Sequence, residues 1–267
     1  MRPTVHDIAA KAGVSLATVD RVLNARPGVR GVTRAKVEEA IRSLNYVRDV
    51  AAANLAKGRV YPLTFILPEG DNPFMRDLEQ EARAAGERSA IERTRVTVAT
   101  VPAFDAPALA VAIDAAIAGQ PAGIAAVAVD APEVMEAIGR ARAAGIPFVT
   151  LVSDLALSGR DHFVGVDNIA AGRTAGSLMG RFLRGRTGPV AVLAGSMLVR
   201  DHRERLEGFR AAMNEDFEWR PILDVLEGQD DPKLSEDLIA GCLDAHEDLV
   251  GIYSLGAGNR GLVAALA

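Results

Sequence analysis

Apolar positions in the first 46 residues recur at the three- and four-residue spacing of amphipathic helices. The inward-facing positions of three short helices are predicted at Val5, Ile8, Ala9 and Ala12, at Val19, Val22 and Leu23, and at Val37, Ile41 and Leu44. Thr4 and Asp7 have the spacing of a capping box, and Gly13 ends the first helix. Ser15 and Thr33 are the predicted caps of the next two helices. Two helices joined by a short turn containing Gly, with a third completing the core, predict an all-α helix-turn-helix domain.

From residue 62 onward, short apolar runs alternate with helical segments. Strands are predicted at residues 63–67, 95–101, 123–129, 147–152, 162–166, 189–195, 221–227 and 249–255, and helices at about 73–89, 107–118, 132–144, 168–185, 203–215 and 233–246. Near-continuous Val, Ile and Leu strands in regular alternation with helices indicate parallel sheets covered on both faces. Such α/β sheets bind ligands at the carboxyl ends of their strands, so the loops after the strands are the candidate binding segments.

The composition is that of a soluble globular protein, with 49% hydrophobic and 24% charged residues in a chain of 267. Cys242 is the only cysteine, which excludes a disulfide framework and a multi-cysteine metal site and leaves a buried apolar role as the expectation. The N-terminal segment lacks the apolar region of a secretory signal, and no run reaches the roughly 18 consecutive apolar residues of a membrane span. We therefore expect a cytoplasmic protein.

Charge is distributed unevenly along the chain. Residues 1–60 contain 11 Lys and Arg against 5 Asp and Glu, a net charge of +6, whereas the remaining residues contain 19 against 30, a net charge of −11. A basic segment on an acidic body is typical of a polyanion-binding module attached to a separate domain. The alternative is chance variation among solvated faces.

Catalytic and metal-binding patterns are not apparent in the sequence. The histidines at positions 6, 162, 202 and 246 are scattered without metal-ligand spacing, and no nucleophile and base are paired. We therefore expect no enzymatic activity, no metal and no cofactor.

The first 46 residues closely resemble the lac-repressor-like (LacI/GalR) family of bacterial transcription regulators. The matching positions, which fall at the family's spacing without a gap, are Thr4, Asp7, Ala9, Ala12 to Ser15, Thr18, Val19, Arg21 to Asn24, Val29, Thr33, Val37 and Leu44 to Tyr46. The resemblance implies a helix-turn-helix DNA-binding domain at residues 1–48 and a hinge helix or linker at 49–60. It further implies an α/β periplasmic-binding-protein-like effector domain of two doubly wound parallel-sheet subdomains at 61–267. A homodimer that binds a pseudo-palindromic operator, represses transcription and responds to a small sugar-like effector is the implied function.

The resemblance also assigns candidate DNA contacts, which are Thr4, His6, Ser15, Leu16, Ala17, Thr18, Arg21, Asn24, Asn54, Leu55 and Lys57. Leu16 and Ala17 hold the base-choosing positions, and their apolar side chains favour contacts with thymine methyl groups. Leu55 is implied to wedge into the minor groove from the hinge helix, and an ordinary linker is the alternative. Asp20 departs from the family's serine, and its carboxylate costs DNA affinity unless it points away or pairs with Arg21 or Arg26.

Candidate effector contacts follow the predicted strands and are likewise implied by the resemblance. They are Asn72, Phe74, Ser153, Asp154, Arg205 and Asn259, with Arg203 as a substitute for Arg205. Alternatives stay open for several of them. Asn72 also suits a helix N-terminus, Phe74 also suits the core, and either arginine also suits a surface salt bridge. Asp167 and Asn168 are expected to cap a helix.

The segment GAGNRG near the end of the sequence matches the dinucleotide-binding pattern G-x-G-x-x-G through Gly256, Gly258 and Gly261. That reading requires a second strand and an acidic residue about 20 positions further on, whereas six residues follow Gly261 here. An effector-facing loop is the preferred interpretation over an NAD-dependent enzyme, and the helix-turn-helix opposes a solute-binding transport protein. The family's effector domain normally continues with strands and helices that recross to the first subdomain, so we expect the last part of this domain to be missing.

Overall fold

The computed structural model describes residues 3–46, 60–217 and 221–267. The chain divides into two compact units, Met1–Gly58 and Arg59–Ala267, which are called the head and the body below. Within the described residues, no helix combines the length and the apolar character needed to cross a membrane.

The head consists of α1 (Val5–Ala12), α2 (Leu16–Leu23) and α3 (Gly31–Ser43). Ile8, Val19 and Val37 contribute one fully buried side chain from each helix, which confirms the predicted core. Val5 was predicted to face inward, but it lies at the start of α1 and is 37% exposed. The core therefore begins one turn later in α1.

The predicted caps of the first two helices are present. The Asp7 carboxylate accepts hydrogen bonds from the backbone N and the Oγ1 of Thr4 at 2.7 and 2.8 Å, and these bonds lower the pKa of Asp7. Ser15 Oγ accepts from the backbone N of Thr18 at 3.3 Å. The predicted cap of α3 was wrong, because the helix begins at Gly31 and Thr33 lies inside its first turn.

The body contains two separate parallel sheets. Its elements in chain order are β1 (Tyr61–Glu69), α4 (Pro73–Arg88), β2 (Thr94–Pro102), α5 (Ala106–Ala118), β3 (Gly123–Val127), α6 (Pro132–Ala143), β4 (Phe148–Leu151), β5 (His162–Val164), α7 (Asn168–Phe182), β6 (Val190–Ala194), α8 (Arg200–Asp216), β7 (Ile222–Glu227), α9 (Pro232–Ala245), β8 (Gly251–Ser254) and α10 (Asn259–Ala265). The first sheet has the order β2-β1-β3-β4-β5 and the second has the order β7-β6-β8. This architecture confirms the predicted α/β class.

Each sheet is buried by the helices that follow its strands. In the first sheet, Ile66, Ile124 and Phe148 pack in one core with residues of α5 and α6, and each is at most 1% exposed. In the second sheet, all five residues of β6 are buried, as expected for a central strand covered on both faces.

Helices α7 and α8 pack with their backbones in contact. A Cβ atom added at Gly172 would lie 2.0 Å from the carbonyl oxygen of Arg205, and one at Gly208 would lie 2.0 Å from the carbonyl oxygen of Ile169. No side chain fits at either position, so glycine permits this approach. The packing fixes the position of α8, whose first turns carry the polar side chains of the cleft described next.

Candidate functional site

The exposed N-terminal part of α2 is the candidate nucleic-acid interface of the head. Ser15, Leu16, Ala17 and Arg21 are exposed there, while Val19 on the opposite side of the helix is fully buried. Leu16 presents 42% of its surface to solvent and is not part of the head's core cluster. Ser15 and Thr18 are joined through their hydroxyl groups at 3.0 Å. Thr4 and His6 are also exposed, at the start of α1. The structure thus brings most of the predicted DNA-contacting residues to the surface.

Asp20 is paired within the head. The Asn24 amide donates to the Oδ1 and backbone oxygen of Asp20 at 2.7 and 2.8 Å. Arg26 Nη1 also donates to Asp20 Oδ2 at 3.3 Å. The carboxylate therefore pairs with Arg26, one of the two partners considered from the sequence. The Asn24 side chain is oriented by Asp20, so its predicted phosphate contact would require that pair to rearrange.

The predicted hinge helix lies outside the described residues. This applies to the DNA contacts predicted at Asn54, Leu55 and Lys57, which stay predictions.

A cleft of about 660 Å³ lies at the carboxyl ends of the strands in the body. The loops after β1, β2, β3, β4, β6, β7 and β8 all contribute to its lining. Four predicted effector contacts, Asn72, Phe74, Arg205 and Asn259, line this cleft. Its volume falls within the usual range for small-molecule sites, about 300 to 1,000 Å³.

Asn72 connects the two sheets across the cleft. Its Oδ1 accepts from the backbone N of Phe74 at 3.1 Å, which caps α4. Its Nδ2 donates to Asp230 Oδ2, in the loop after β7, at 2.8 Å. Asn72 is therefore both a helix cap and a cleft residue, and the two interpretations made from the sequence are compatible.

Asp230 is a cleft residue that the sequence analysis did not identify. Its Oδ1 accepts from the backbone N of Ala257 at 2.9 Å, while its Oδ2 accepts from Asn72. Gln229 and Asp230 have backbone φ angles of 52° and 56°, a left-handed conformation that is unfavourable for residues other than Gly. Two consecutive strained residues beside a cleft are typical of a functional loop. The two aspartates directly after the strand predicted at 221–227 were the available signal.

Three polar side chains of α8 face the cleft: Asp201, His202 and Arg205. Arg205 Nε donates to Asn168 Oδ1 at 3.0 Å and Nη1 donates to the carbonyl oxygen of Leu255 at 2.9 Å. His202 is 6% exposed, and its Nδ1 lies 2.8 Å from the carbonyl oxygen of Ser196. Asp201 is 5% exposed. Arg205 was predicted from the sequence and its two neighbours were not, although Asp201 and Arg205 have the i, i+4 spacing that places both on one helix face.

Phe74 and Asn259 differ in how they are held. Phe74 is 57% exposed, so it is a cleft residue and does not belong to the core. Asn259 lines the cleft, and its Oδ1 accepts from Ser254 Oγ at 2.7 Å.

Ser153 and Asp154 do not line the cleft. Ser153 is 1% exposed, and its Oγ accepts from the backbone N of Arg200 at the start of α8. Asp154 accepts from the Nε and Nη2 of Arg160 at 2.5 and 2.6 Å, and this pair holds the pKa of Asp154 below its ordinary value. Both side chains are satisfied by the protein, so their predicted effector contacts find no support in this geometry.

Arg203 is likewise used within the protein. It forms an ion pair with Asp130 and donates from Nη1 to the carbonyl oxygen of Met197 at 2.9 Å. Asp167 caps α7 as expected, accepting from the backbone N of Ala170 at 2.9 Å. The buried thiol of Cys242 has a pKa raised by desolvation.

The glycines of GAGNRG have packing roles in the structure. A Cβ at Gly256 would lie 2.6 Å from the backbone N of Gly195, and one at Gly261 would lie 1.8 Å from the carbonyl oxygen of Pro232. Gly258 has a φ of 90° at the start of α10. The pattern therefore arises from the close approach of the loop to β6 and α9. Within the described residues, no group of three or more His, Cys, Asp or Glu side chains is arranged to hold a metal ion.

The helix-turn-helix head and the two-sheet body with its cleft together define a two-part protein with a periplasmic-binding-protein-like domain. The family model described as "Bacterial regulatory proteins, lacI family" matches residues 4–49, and that described as "Periplasmic binding protein domain" matches residues 63–267. The chain belongs to the periplasmic binding protein domain family through residues 63–267 and carries a lacI-family helix-turn-helix domain at residues 4–49.

Similar curated proteins include two transcriptional regulators. HTH-type transcriptional regulator MalR of Streptomyces coelicolor is 33% identical over 64% of this chain and 48% of its own length. HTH-type transcriptional regulator DegA of Bacillus subtilis is 26% identical over 80% of this chain and 62% of its own length. The chain thus spans about half to three fifths of the length of these relatives.

Solved structures similar to the body are solute-binding proteins. One is an ABC transporter solute-binding protein from Burkholderia graminis in complex with D-arabinose, with a TM-score of 0.71 and 24% identity over 77% of this chain and 70% of that one. Another is a sugar-binding protein of a sugar ABC transporter from Bacillus halodurans, with a TM-score of 0.64 and 27% identity over 77% of this chain and 69% of that one. Both support the fold described above.

Proposed function

We propose that this protein is a sequence-specific, DNA-binding transcription regulator that acts as a homodimeric repressor and responds to a small sugar-like effector. The observation that carries the proposal is the exposed face of α2, which lies in the segment that the lacI family model matches. The curated relatives are named as transcriptional regulators. A non-enzymatic, cytoplasmic role without a cofactor follows from the same proposal.

The head has the properties that major-groove recognition requires. The N-terminal residues of a recognition helix contact base edges, and those of α2 are exposed. Leu16 offers an apolar surface suited to a thymine methyl group, while Arg21 offers a cation suited to a phosphate or a guanine. Two heads of a dimer would then bind two half-sites of a pseudo-palindromic operator.

The cleft supports the effector part of the proposal. It has the size of a small-molecule site and combines an exposed aromatic ring, Phe74, with polar side chains from both sheets. An aromatic face together with hydrogen-bonding groups suits a sugar, which has apolar ring faces and hydroxyl edges. The solved structures with this fold include the D-arabinose complex and the sugar-binding protein.

Control of DNA binding would arise from the contacts between the two sheets of the body. Asn72 and Asp230 join them across the cleft. A ligand that contacts both sheets would stabilise the arrangement of the body to which it binds. Coupling to DNA binding requires only that the ligand bind more tightly to one of the DNA-competent and DNA-incompetent states than to the other.

The experiment that tests DNA recognition is selection of bound sequences from a random DNA pool, repeated at several salt concentrations. The expected result is an enriched pseudo-palindrome with a central C·G or T·A step. Arg21→Ala should weaken binding to the selected sequence, whereas Arg42→Ala, in an exposed ion pair with Glu39 on α3, serves as the matched control and should not. Recovery of random DNA with a steep salt dependence would mean non-specific phosphate binding and would contradict the proposal.

The predicted wedge at Leu55 has a separate test. Leu55→Ala should weaken binding to the selected sequence far more than binding to random DNA, because unstacking of a central base step occurs only in the specific complex. Equal losses on both DNAs would reject the wedge while leaving the recognition helix in place.

A further inference from the structure

Asp201 is a buried acidic residue near the start of α8. It is 5% exposed and lines the cleft. Arg205 Nη1 forms an ion pair with it at 3.7 Å and His202 Nε2 lies at 3.8 Å, both beyond hydrogen-bond distance. Within the described part of the chain, no donor hydrogen-bonds this carboxylate. A buried charge needs hydrogen-bond partners to offset its desolvation, so the structure points to donors that come from the cleft.

Charges around the cleft are strongly unbalanced. Among the described residues, its lining includes a single arginine, Arg205, against six acidic residues: Glu69, Asp71, Asp105, Asp201, Asp230 and Asp231. That guanidinium already donates to Asn168 and to the carbonyl oxygen of Leu255. An anion that entered the cleft would therefore meet like charges and an arginine already engaged by the protein.

Side chains of the protein occupy most of the helix N-termini at the cleft, which are the usual alternative sites for an anion. The exception among the described residues is the seven-residue helix α10, which begins at Asn259 without a side-chain cap. Three helices begin at the cleft with a capping side chain that accepts a backbone N–H: Asn72 from Phe74 at 3.1 Å, Asp105 from Ala108 at 2.8 Å and Asp231 from Leu234 at 2.7 Å. The first backbone N–H of α8 donates to Ser153 Oγ. The protein's own oxygens thus hold N–H groups that an anion would need.

We propose that the cleft selects a hydroxyl-rich ligand that is uncharged or cationic, holds it through hydrogen bonds donated to Asp201, and excludes phosphorylated and carboxylated analogues. This inference rests on the proposed role of the cleft as an effector site and specifies its ligand class. A sugar hydroxyl or an amino-sugar ammonium group supplies the donor that Asp201 lacks, whereas a phosphate or carboxylate group supplies an acceptor and a repelled charge.

Calorimetric titration of the full chain with matched sugars tests this selectivity. The panel contains pentoses and hexoses, each with its amino, phosphorylated and uronate derivatives. We expect at least one neutral or amino sugar to bind, with its phosphorylated and uronate derivatives at least tenfold weaker. Tighter binding of an anionic derivative overturns the inference and leaves the effector proposal intact. Failure of every sugar to bind contradicts both.

Asp201→Asn tests the residue itself. It removes the charge while keeping the shape, and it should weaken binding of the neutral or amino sugar by about tenfold to a hundredfold, because hydrogen bonds to a charged acceptor are the strong ones. It should also reduce the difference in affinity between neutral and phosphorylated ligands. The control is Glu207→Gln, which changes an exposed acid on the same helix outside the cleft. It should change neither the sugar affinity nor the difference in affinity between neutral and phosphorylated ligands.

A thermal unfolding measurement separates ligand binding from a structural role. If Asp201 served only to stabilise α8 through Arg205 and His202, Asp201→Asn would lower the Tm and leave the ratio of affinities unchanged. The proposal predicts a Tm that is unchanged or raised, because the substitution removes a buried charge that accepts no hydrogen bond from the described residues. Unchanged sugar affinity in Asp201→Asn overturns the assignment.

Discussion

The head and the body use their functional side chains in opposite ways. In the head, Leu16 and Arg21 project from one short helix into solvent, and the core lies on its other side. In the body, Asn72, Asp230 and Arg205 come from three distant segments, and each is hydrogen-bonded into the fold. Recognition and stability are therefore separable in the head and coupled in the body. The predictions below test that contrast, beginning with the largest expected change in stability.

The largest effect is expected in the core of the head. Ile8→Ala removes a fully buried side chain from a small cluster and should lower the free energy of unfolding of the head by about 2 to 5 kcal/mol. Calorimetry of the full chain should show this as a lower transition for the head with the transition of the body unchanged. Val5→Ala, on the same helix but 37% exposed, is the control and should change stability little. Equal effects of the two substitutions would contradict the assigned core.

The stability of the body should be most sensitive to substitution where α7 and α8 pack against each other. Gly208→Ala places a Cβ 2.0 Å from a carbonyl oxygen and should destabilise the body by about 1 to 3 kcal/mol through overpacking. Gly139→Ala, in α6 with nothing within 4 Å of the added Cβ, is the matched control and should be stabilising by about 0.5 to 1 kcal/mol. Urea denaturation measures both. A neutral Gly208→Ala would mean that the two helices pack less closely than described.

The partly buried ion pair of Asp154 and Arg160 gives the body an acid-sensitive contribution. The pair lowers the pKa of Asp154 in the folded protein, so its stabilisation is present above the unfolded pKa of about 4 and is lost as the pH falls through the folded value. Arg160→Ala should cost about 1.5 kcal/mol at neutral pH and less in acid.

Arg140→Ala is the control for the ion pair. Arg140 and Asp114 form an exposed pair whose side chains are 50% and 47% accessible, so the substitution should change stability much less than Arg160→Ala does. Denaturation curves at neutral and acidic pH measure both variants. A loss for Arg160→Ala that does not shrink with falling pH would argue against a role for the Asp154 charge.

The smallest effect on stability is expected on the exposed face of α2. Leu16→Ala should leave the free energy of unfolding within about 0.5 kcal/mol of that of the unsubstituted protein, because the side chain lies at the surface. It should nevertheless relax base preference at one position of each half-site in the selected DNA. Unfolding curves and repeated sequence selection measure the two quantities. A variant with altered stability but an unaltered base preference would contradict the assignment of Leu16 as an exposed DNA contact.

The head and the body also differ in how much of their structure could be predicted from the sequence. The capping box of Thr4 and Asp7, the cap at Ser15 and the core position at Val19 all depend on neighbours within four residues. Such local relations are visible in the order of residues. The start of α3 was predicted after a cap at Thr33 but lies at Gly31, because helix boundaries depend on side-chain packing as well as on caps.

In the body, the elements were predictable but the set of cleft residues was not. The eight strands and six helices predicted in the body all lie within a few residues of observed elements, because an apolar run or a helical period is local. Whether a loop side chain faces the cleft depends on partners far along the chain. Asp154 is occupied by Arg160, while Asp230 meets Asn72, 158 residues away. Contacts between residues so far apart in the chain leave no periodic pattern in the sequence.

The most direct test of a DNA-binding head controlled by a cleft ligand is the affinity for the selected DNA and for a scrambled sequence, measured with and without the sugar that binds best. We expect tighter binding to the selected sequence and a change in that affinity of about fivefold or more when the sugar is added, which corresponds to a coupling of at least about 1 kcal/mol. Equal affinity for the two sequences, or a sugar that binds without changing the affinity for the selected DNA, would contradict this expectation.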